Sequence, residues 1–396
     1  LAGTTVLDLS RVLAGPLCTQ TLADLGAEVW KVESPGGDDT RGWGPPFVGE
    51  DAAYFLAANR GKRSLAVDLK QPAAAALVAE LAARADVVVE NFKVGDLARY
   101  GLAYDQVAER NPGVVYVSIT GYGQTGPRAT EPGYDLVMQA MTGLLSMTGP
   151  ADGPPARVGV ALIDVLTGLQ ATIAVLAALR EREATGIGRH LDLSLFDVGL
   201  ASLVNVGQST LVTGESPQRW GSGHPSIVPY QAFPTADGDL VLAVGNDAQF
   251  GRLCEVLGEP ALATDARFAV NAHRVVNREE LIELLTTIFR TEPAALWIAR
   301  LGAADVPVAP VNDVAQALTD PQVAARGLRW PVRHPADPNL EVLGNPLGSL
   351  ADNARSTAPP LLGADTRAVL ADVLGLTDGQ INDLAAAGAV VDGRTT

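Results

Sequence analysis

The sequence predicts an α/β protein: an open, mainly parallel sheet covered by helices, followed by a smaller α+β unit. Three observations predict it. Short β-rich runs alternate with helical segments through the first half of the 396-residue chain, the pattern of a parallel sheet with helical crossovers. A stretch rich in Gly, Pro and Ser at 214–234 then breaks that pattern. Hydrophobic residues make up 47% of the chain, enough for two cores.

In chain order, 6–10, 27–33, 64–68, 86–91 and 114–120 read as buried strands. Residues 16–25, 72–83 and 93–100 read as the helices between them. Helices follow at about 135–147 and 165–184, then a strand at Arg189–Ser194 and a helix at about 196–212. Beyond the break, 240–244 is a strand, and 248–257, 278–290 and 293–301 are helices. Residues 306–311 are extended, with Pro307 and Pro310 inside them. The tail adds short strands and a final helix near 365–374. The expected organisation is therefore a large domain at 1–213, a linker at 214–224, a small domain at 225–325 and a C-terminal segment at 326–396.

A net charge of −16 argues against nucleic acid or an anionic membrane as partner. Lys31, Lys62, Lys70 and Lys93 all lie early, three of them near Arg60, Arg63 and Arg99. Such a cluster either holds a small polyanion or is ordinary surface charge. Cys18 and Cys254 sit far apart in apolar segments and read as free buried thiols, which fits a cytoplasmic location. The histidines His190, His224, His273 and His334 share no metal-ligand spacing, so no metal site is expected. No signal peptide is visible.

Asp164 is the only charged residue in 158–179, an otherwise oily run. A carboxylate there costs free energy unless it is paired or used. It can cap the helix that follows, or it can do chemistry. A membrane span is a weak third reading, because Asp164, Thr167, Gln170 and Thr172 would all sit in lipid. Gly121-Tyr122-Gly123-Gln124-Thr125-Gly126 matches the dinucleotide fingerprint literally. Pro127 and a polar loop follow it, however, where a helix N-terminus should face a pyrophosphate. A nicotinamide or flavin cofactor is not expected.

Several stretches together resemble the family III CoA-transferases, which include the α-methylacyl-CoA racemases. They are VLDLSRVLAGP, KVESPGGDDTRGWGPP, NRGKRSLAVDLK, VVVENFKVGDLARYGL, GYGQTGP, EPGYDLVMQAMTG, ALIDVLTGLQATIAVLAALREREATGIGRHLDLSLFD, GSGHPSIVPYQAF, GNDAQFGRLCEVLG, VPVAPVND and PLLGADT. The resemblance covers nearly the whole chain. It implies a Rossmann-like domain built from both chain ends, a small domain joined by linkers, and an interlocked homodimer. It implies acyl-CoA and a carboxylic acid as substrates, with no permanently bound cofactor.

The resemblance also places Asp164 at the family's catalytic aspartate, and a helix N-terminus beside it would keep it ionised. Leu13, Tyr134, Asp135, Gln139, Gly221, Gly223 and His224 are the expected substrate pocket. Oxyanion donors would come from the Leu13-Ala14-Gly15 loop or from Gly221 and Gly223. Asp135 alternatively just starts a helix, and His224 just packs the linker. Val12, Ala14, Val67, Lys70, Asn91, Phe92 and Arg99 would meet CoA. Ser34 stands where the family often has a basic residue, and Arg41 or Lys62 would replace that charge. Leu13 in place of glutamine, and a short glycine segment at 221–223, argue against a formyl-CoA/oxalate enzyme. The racemases carry a histidine where this chain has Tyr134, a poor base at neutral pH. The expected activity is CoA transfer between an acyl-CoA and a carboxylic acid. The alternatives are a 2-methylacyl-CoA racemase, a silent CoA-binding protein and a nicotinamide oxidoreductase.

Overall fold

The computed structural model describes residues 1–354 and 357–393. The chain forms two compact units. The first comprises 1–144, 158–215 and 324–396, and the second comprises 145–157 and 216–323.

The first unit is built on strands β1 (Thr5–Asp8), β2 (Glu28–Glu33), β3 (Lys62–Val67), β4 (Val87–Glu90), β5 (Val115–Thr120) and β6 (Arg189–Ser194). Their order is β3-β2-β1-β4-β5-β6, all parallel. The C-terminal strand Val390–Val391 adds antiparallel beside β3. The chain's end thus completes the sheet that its beginning starts.

Strands such as VVVE and VYVSIT are nearly all apolar because both faces are covered. On one face Leu7, Leu65, Val88 and Tyr116 pack under helices α2 (Pro72–Ala82) and α3 (Tyr104–Arg110) and the C-terminal helices Thr366–Leu374 and Asp378–Ala386. On the other, Val6, Val87, Val89 and Val117 pack under α1 (Ala14–Asp24) and α5 (Leu162–Thr185). Between them in sequence lies α4 (Asp135–Met141). Helices α6 (Leu195–Ala201) and α7 (Val204–Thr213) follow β6.

Helix α5 is long and apolar enough to cross a membrane. Here Thr167, Ala171, Val175 and Ala178 bury one of its faces in the first unit's core. It ends at Gly186, whose φ of +73° is the left-handed conformation that glycine adopts without a steric penalty.

Four expectations need correction. Segment 93–100 forms only a 3₁₀ turn at Asp96–Tyr100, entered and left by left-handed glycines Gly95 and Gly101. The expected helix at 196–212 is two helices with a sharp bend of 77° between them. The helix Asp378–Ala386, with a Thr377/Gln380 capping box, was not expected. Finally, α5 starts at Leu162 with Ala161 as N-cap, so Asp164 lies inside the first turn and caps nothing.

The second unit has a three-stranded antiparallel sheet, order β9-β8-β7, from Tyr230–Pro234 (β7), Asp239–Ala243 (β8) and Val308–Pro310 (β9). Helices Asp247–Val256, Arg278–Phe289 and Ala294–Ala303 pack on it around Phe233, Leu242, Phe250, Phe289 and Trp297. Segment 145–157 belongs to this unit, because Arg219 donates to the Ser146, Pro150 and Gly153 carbonyls.

Under the C-terminal end of β1 lies a network of buried charges. Asp8 is wholly buried and accepts from Ser10 N–H, Ser10 Oγ, Thr19 Oγ1 and Lys62 Nζ. Lys31 Nζ donates to Ser10 O and to Asp38 at 3.0 Å each. Burial works to raise the Asp8 carboxyl, but Lys62, Lys31 and the two hydroxyls outweigh it and hold it down at about 2. Burial pulls Lys62 downward, while Asp8, Asn59 and Pro16 O occupy its ammonium hydrogens.

Removing one partner of such a pair strands the other in the core. Lys62→Met is therefore expected to destabilise the fold by roughly 3–5 kcal/mol, read as a lower urea midpoint. The Asp8 contribution is present above the ordinary carboxylate range and is lost as pH falls through about 2. An unchanged midpoint for Lys62→Met would show that the network does not hold the fold.

Candidate active site

The loop leaving β1 is the first wall of the site. Asp8 and Lys31 hold Ser10. Asn91, just past β4, clamps Arg11 on both sides: Arg11 N–H donates to Asn91 Oδ1 at 2.9 Å, and Asn91 Nδ2 donates to Arg11 O at 2.7 Å. Val12 N–H donates to Asp38 at 3.4 Å. Between these anchors Val12 is held at φ +72°, a conformation a β-branched residue avoids at a cost of about 1–3 kcal/mol. The chain then enters α1 with no side-chain cap. The N–H groups of Leu13, Ala14 and Gly15 have no acceptor among the described residues, as at any uncapped helix start.

Helix α5 is the second wall. A Cβ on Gly168 would come within 2.7 Å of Ala14 O and 3.2 Å of Leu17 Cβ, so only glycine lets α5 approach the start of α1 this closely. Asp164 is one turn before Gly168, on the same face. The periodicity of α5 and one missing side chain thus put Asp164 beside the uncapped end of α1.

Asp164 does not cap its own helix because Asp135 does so from α4. Asp135 Oδ1 accepts from Ile163 N–H at 2.8 Å and Asp164 N–H at 3.4 Å. Gln139 donates to Asp135 at 2.6 Å and accepts Val158 N–H at 3.0 Å. The Asp164 carboxyl itself has no hydrogen-bond donor among the described residues. It opens onto a cleft of about 200 Å³ lined also by Val12, Leu13, Ala14, Asn91, Phe92 and Tyr134. The cleft lies beyond the carboxyl ends of β1, β4 and β5, where open α/β sheets bind ligands.

Burial pushes the Asp164 carboxyl up to about 7, and the Asp135 charge adds to the rise. This corrects the expectation of a fully ionised aspartate. With the folded value above the unfolded one, the Asp164 contribution to stability is full below the ordinary carboxylate range and is lost as pH rises through about 7.

The structure brings together Asp164, Leu13, Tyr134, Val12, Ala14, Asn91 and Phe92. The other expected residues of the first unit do not line the cleft. Asp135 and Gln139 are buried behind Asp164, where they position it. Arg41 is buried on Glu33 (2.7 Å) and Asp51 (2.8 Å), and Lys62 on Asp8, so neither can replace the missing base at Ser34. Val67 is an interior strand residue, 3% exposed. Lys70 and Arg99 are exposed, Arg99 beside Asp96 and over the Tyr100 ring, and neither lines the cleft. Gly221, Gly223 and His224 belong to the second unit. The two glycine N–H groups are spent on Gly149 O and Trp220 O, so they are not free oxyanion donors. His224 accepts from Ser226 N–H and packs near Tyr230.

Four residues were not expected at the site, although Lys93 among them was read as part of the early basic cluster. Arg11, paired with Asp39 at 3.2 Å and lying 5.7 Å over Phe92, lines the cleft, as does Lys93. Their place one or two residues from Val12 and Asn91 was the available signal. Tyr54 lies within electrostatic reach of Asp164. Burial raises its hydroxyl first, and the charges of Asp164, Asp135 and Asp38 raise it further. Trp43 packs edge-on to Tyr54 at 5.4 Å. Nothing local in the sequence marks that pair.

The CoA-transferase family III model matches residues 1–366. The chain belongs to the family III CoA-transferases. Over its whole length it is 44% identical to the succinyl-CoA:glutarate CoA-transferase of Mus musculus, covering 91% of that protein. It is 49% identical to the succinate–glutarate CoA-transferase of Agrobacterium fabrum, over 83% of this chain and 84% of that one. A CAIB/BAIF family protein from Brucella suis superposes with a TM-score of 0.85 at 44% identity, over 94% of this chain and 98% of that one. The protein is thus an acyl-CoA:carboxylate CoA-transferase. Family III membership also accounts for the Gly121–Gly126 stretch: it runs into a loop, and Gly121 packs against Gly133.

In this CoA-transferase, Asp135→Asn removes the charge beside Asp164 and keeps an oxygen for the Ile163 N–H. The acid limb of the pH–rate profile should then move to lower pH by roughly one unit. A limb that stays near pH 7 would show that Asp135 does not act on Asp164.

Proposed function

We propose that Asp164 is the covalent handle through which this CoA-transferase exchanges CoA between dicarboxylic acids. An Asp164 oxygen attacks the acyl-CoA carbonyl, the C–S bond breaks, and CoA leaves as thiolate. The product is a mixed anhydride on Asp164. The thiolate then attacks the aspartyl carbonyl carbon, forming an aspartyl-CoA thioester and releasing the first acid as its carboxylate. The acceptor carboxylate attacks that thioester, giving a second anhydride and free thiolate. Attack of the thiolate on the acceptor's acyl carbon yields the new acyl-CoA and restores Asp164. Electrons and protons balance without an external base or oxidant.

One observation carries this reading: the Asp164 carboxyl has no donor among the described residues and faces the cleft. The unpaired N–H groups at the start of α1 are suited to the oxyanion of each tetrahedral step. A cleft of about 200 Å³ is smaller than the ~300–1,000 Å³ of a site for a whole drug-sized ligand, so it takes the reacting end and leaves the nucleotide outside. The names of the mouse and Agrobacterium relatives, with succinyl-CoA and glutarate, support dicarboxylic acids.

Asp164→Ala should fold normally and lose CoA transfer from succinyl-CoA to glutarate by at least ~10⁴-fold. Mass spectrometry after hydroxylamine treatment with succinyl-CoA should find hydroxamate on Asp164 in the parent protein. Near-normal turnover by Asp164→Ala would refute the covalent route.

The homodimer implied by the family is part of the same proposal. Leu169 and Ile173 of α5, Leu200 of α6, and Val204, Leu211 and Val212 of α7 are exposed, up to 82%. Such an apolar surface calls for a cover, and a second copy supplies it. Light scattering on the purified protein should give twice 41.1 kDa. A monomer at micromolar concentration would exclude this.

A further inference from the structure

Among the described residues, three that are not glycine hold a positive φ: Val12, Val204 and Asp305. Val204 and Asp305 are exposed. Val12 instead lines the Asp164 cleft. Glycine adopts this conformation without penalty, and a β-branched residue is among those least suited to it. A strained residue of this kind at a site points to a task for its side chain or its backbone.

The backbone accounts for the conformation but not for the valine. A Cβ on Gly15 would collide with Ser10 Cβ and Oγ, so Arg11–Ala14 form a turn closed at its neck by Ser10 and Gly15. The Asn91 clamp on Arg11 and the Asp38 carboxylate at Val12 N–H fix that turn. Asp38 is itself held by Lys31 and by Thr40 N–H and Oγ1. None of these contacts uses the Val12 side chain. The core does not use it either: Val12 packs with none of the apolar clusters formed by the described residues. The isopropyl group is left facing the cleft that Val12 lines.

In that cleft a water molecule would compete with the acceptor acid. A buried water needs ~30 Å³ of room and about two to four polar partners. The partners are present beside Val12. They are the N–H groups of Leu13, Ala14 and Gly15, which have no acceptor among the described residues, and the Asp164 carboxyl, which has no donor among them. Room is what the Val12 side chain withholds.

We infer that Val12 is a shielding residue: its side chain, held in the left-handed turn, keeps water off the acyl carbon bonded to Asp164 and so sets the ratio of CoA transfer to acyl-CoA hydrolysis. The inference rests on the covalent route proposed for Asp164. The suppressed reaction is attack of a water oxygen on the acyl carbon of the mixed anhydride. The bond from that carbon to the Asp164 oxygen breaks, and the acid and Asp164 both emerge as carboxylates. One water proton neutralises the CoA thiolate and the other passes to solvent, so the thioester is lost with no acceptor acylated. Glycine at this position keeps the turn, because it tolerates φ +72°, and admits water beside the unpaired N–H groups. The same change relieves strain and removes the shield, so stability and fidelity move apart.

The test compares Val12→Gly with the parent protein on succinyl-CoA. Without an acceptor, hydrolysis is read as the steady release of CoA thiol. With glutarate, transfer is read as glutaryl-CoA by mass spectrometry. The hydrolysis-to-transfer ratio should rise roughly tenfold in Val12→Gly. Its urea midpoint should be no lower than the parent's, since relief of strain offsets the added freedom of the unfolded chain. A ratio within about twofold of the parent's overturns the shield and leaves the covalent route standing. A lowered midpoint traces the leak to a loosened fold and overturns the shield as well. The double variant Val12→Gly with Asp164→Ala keeps the two readings apart. It should release thiol no faster than succinyl-CoA does in buffer. Enzymatic release that survives in it sets water on the thioester itself and overturns the covalent route together with the shield. Should Val12→Gly fail to fold, Val12→Ala is the test: it drops only the methyl groups, and an unmoved ratio overturns the shield.

Discussion

The geometry of the site rests on one buried carboxylate that never meets substrate. Asp8 ends β1 and takes four hydrogen bonds, two of them from Ser10 and one from Lys62. Through Ser10 and Lys31 it fixes where the chain leaves the sheet, and through Asp38 the same network reaches Val12. A loop anchored this firmly can hold a valine in the left-handed region. The gain is an α1 that begins with N–H groups left unpaired among the described residues, beside the cleft. Buried ion pairs contribute little net stability over an apolar core of equal packing. Their value here is that the loop has one conformation.

A second division of labour sets the chemistry of Asp164. An aspartate in the first turn of a helix ordinarily turns its carboxylate back onto nearby N–H groups, which would lower its basicity and occupy its lone pairs. Asp135 takes that task from a different helix and is itself held by Gln139. Asp164 is left with no donor among the described residues, partly buried, and close to a like charge. The two carboxylates differ in role because one is spent on backbone and the other is not.

Much of this was legible in the residues. The strand–helix alternation located every strand of the large sheet except Val390–Val391 to within two residues, most plainly at β4 and β5, which are buried on both faces and read as nearly unbroken apolar runs. The isolated charge at Asp164 stood out for the same reason. The C-terminal strand is only two residues long and gains its register from β3, so it has no pattern of its own. The roles of the basic residues were misread because sequence does not tell a buried cation from an exposed one. Arg41 and Lys62 look like phosphate ligands until Glu33, Asp51 and Asp8 are seen around them. Asp135 resembled a pocket residue, since only the fold shows the N–H groups it reaches across a gap of 28 residues.

The high value of the Asp164 carboxyl is compatible with its proposed task. At neutral pH a group titrating at about 7 is roughly half ionised, a loss of only about twofold in the reactive form. In return its oxygen is more basic than an ordinary aspartate's, and nucleophilicity rises with basicity. The same burial keeps water from an anhydride that hydrolysis would waste. Lowering the value by adding a donor would ionise the group fully and at the same time fill the lone pair that must attack. A carboxyl left unpaired in a half-closed cleft, with its backbone satisfied by another acid, avoids that exchange.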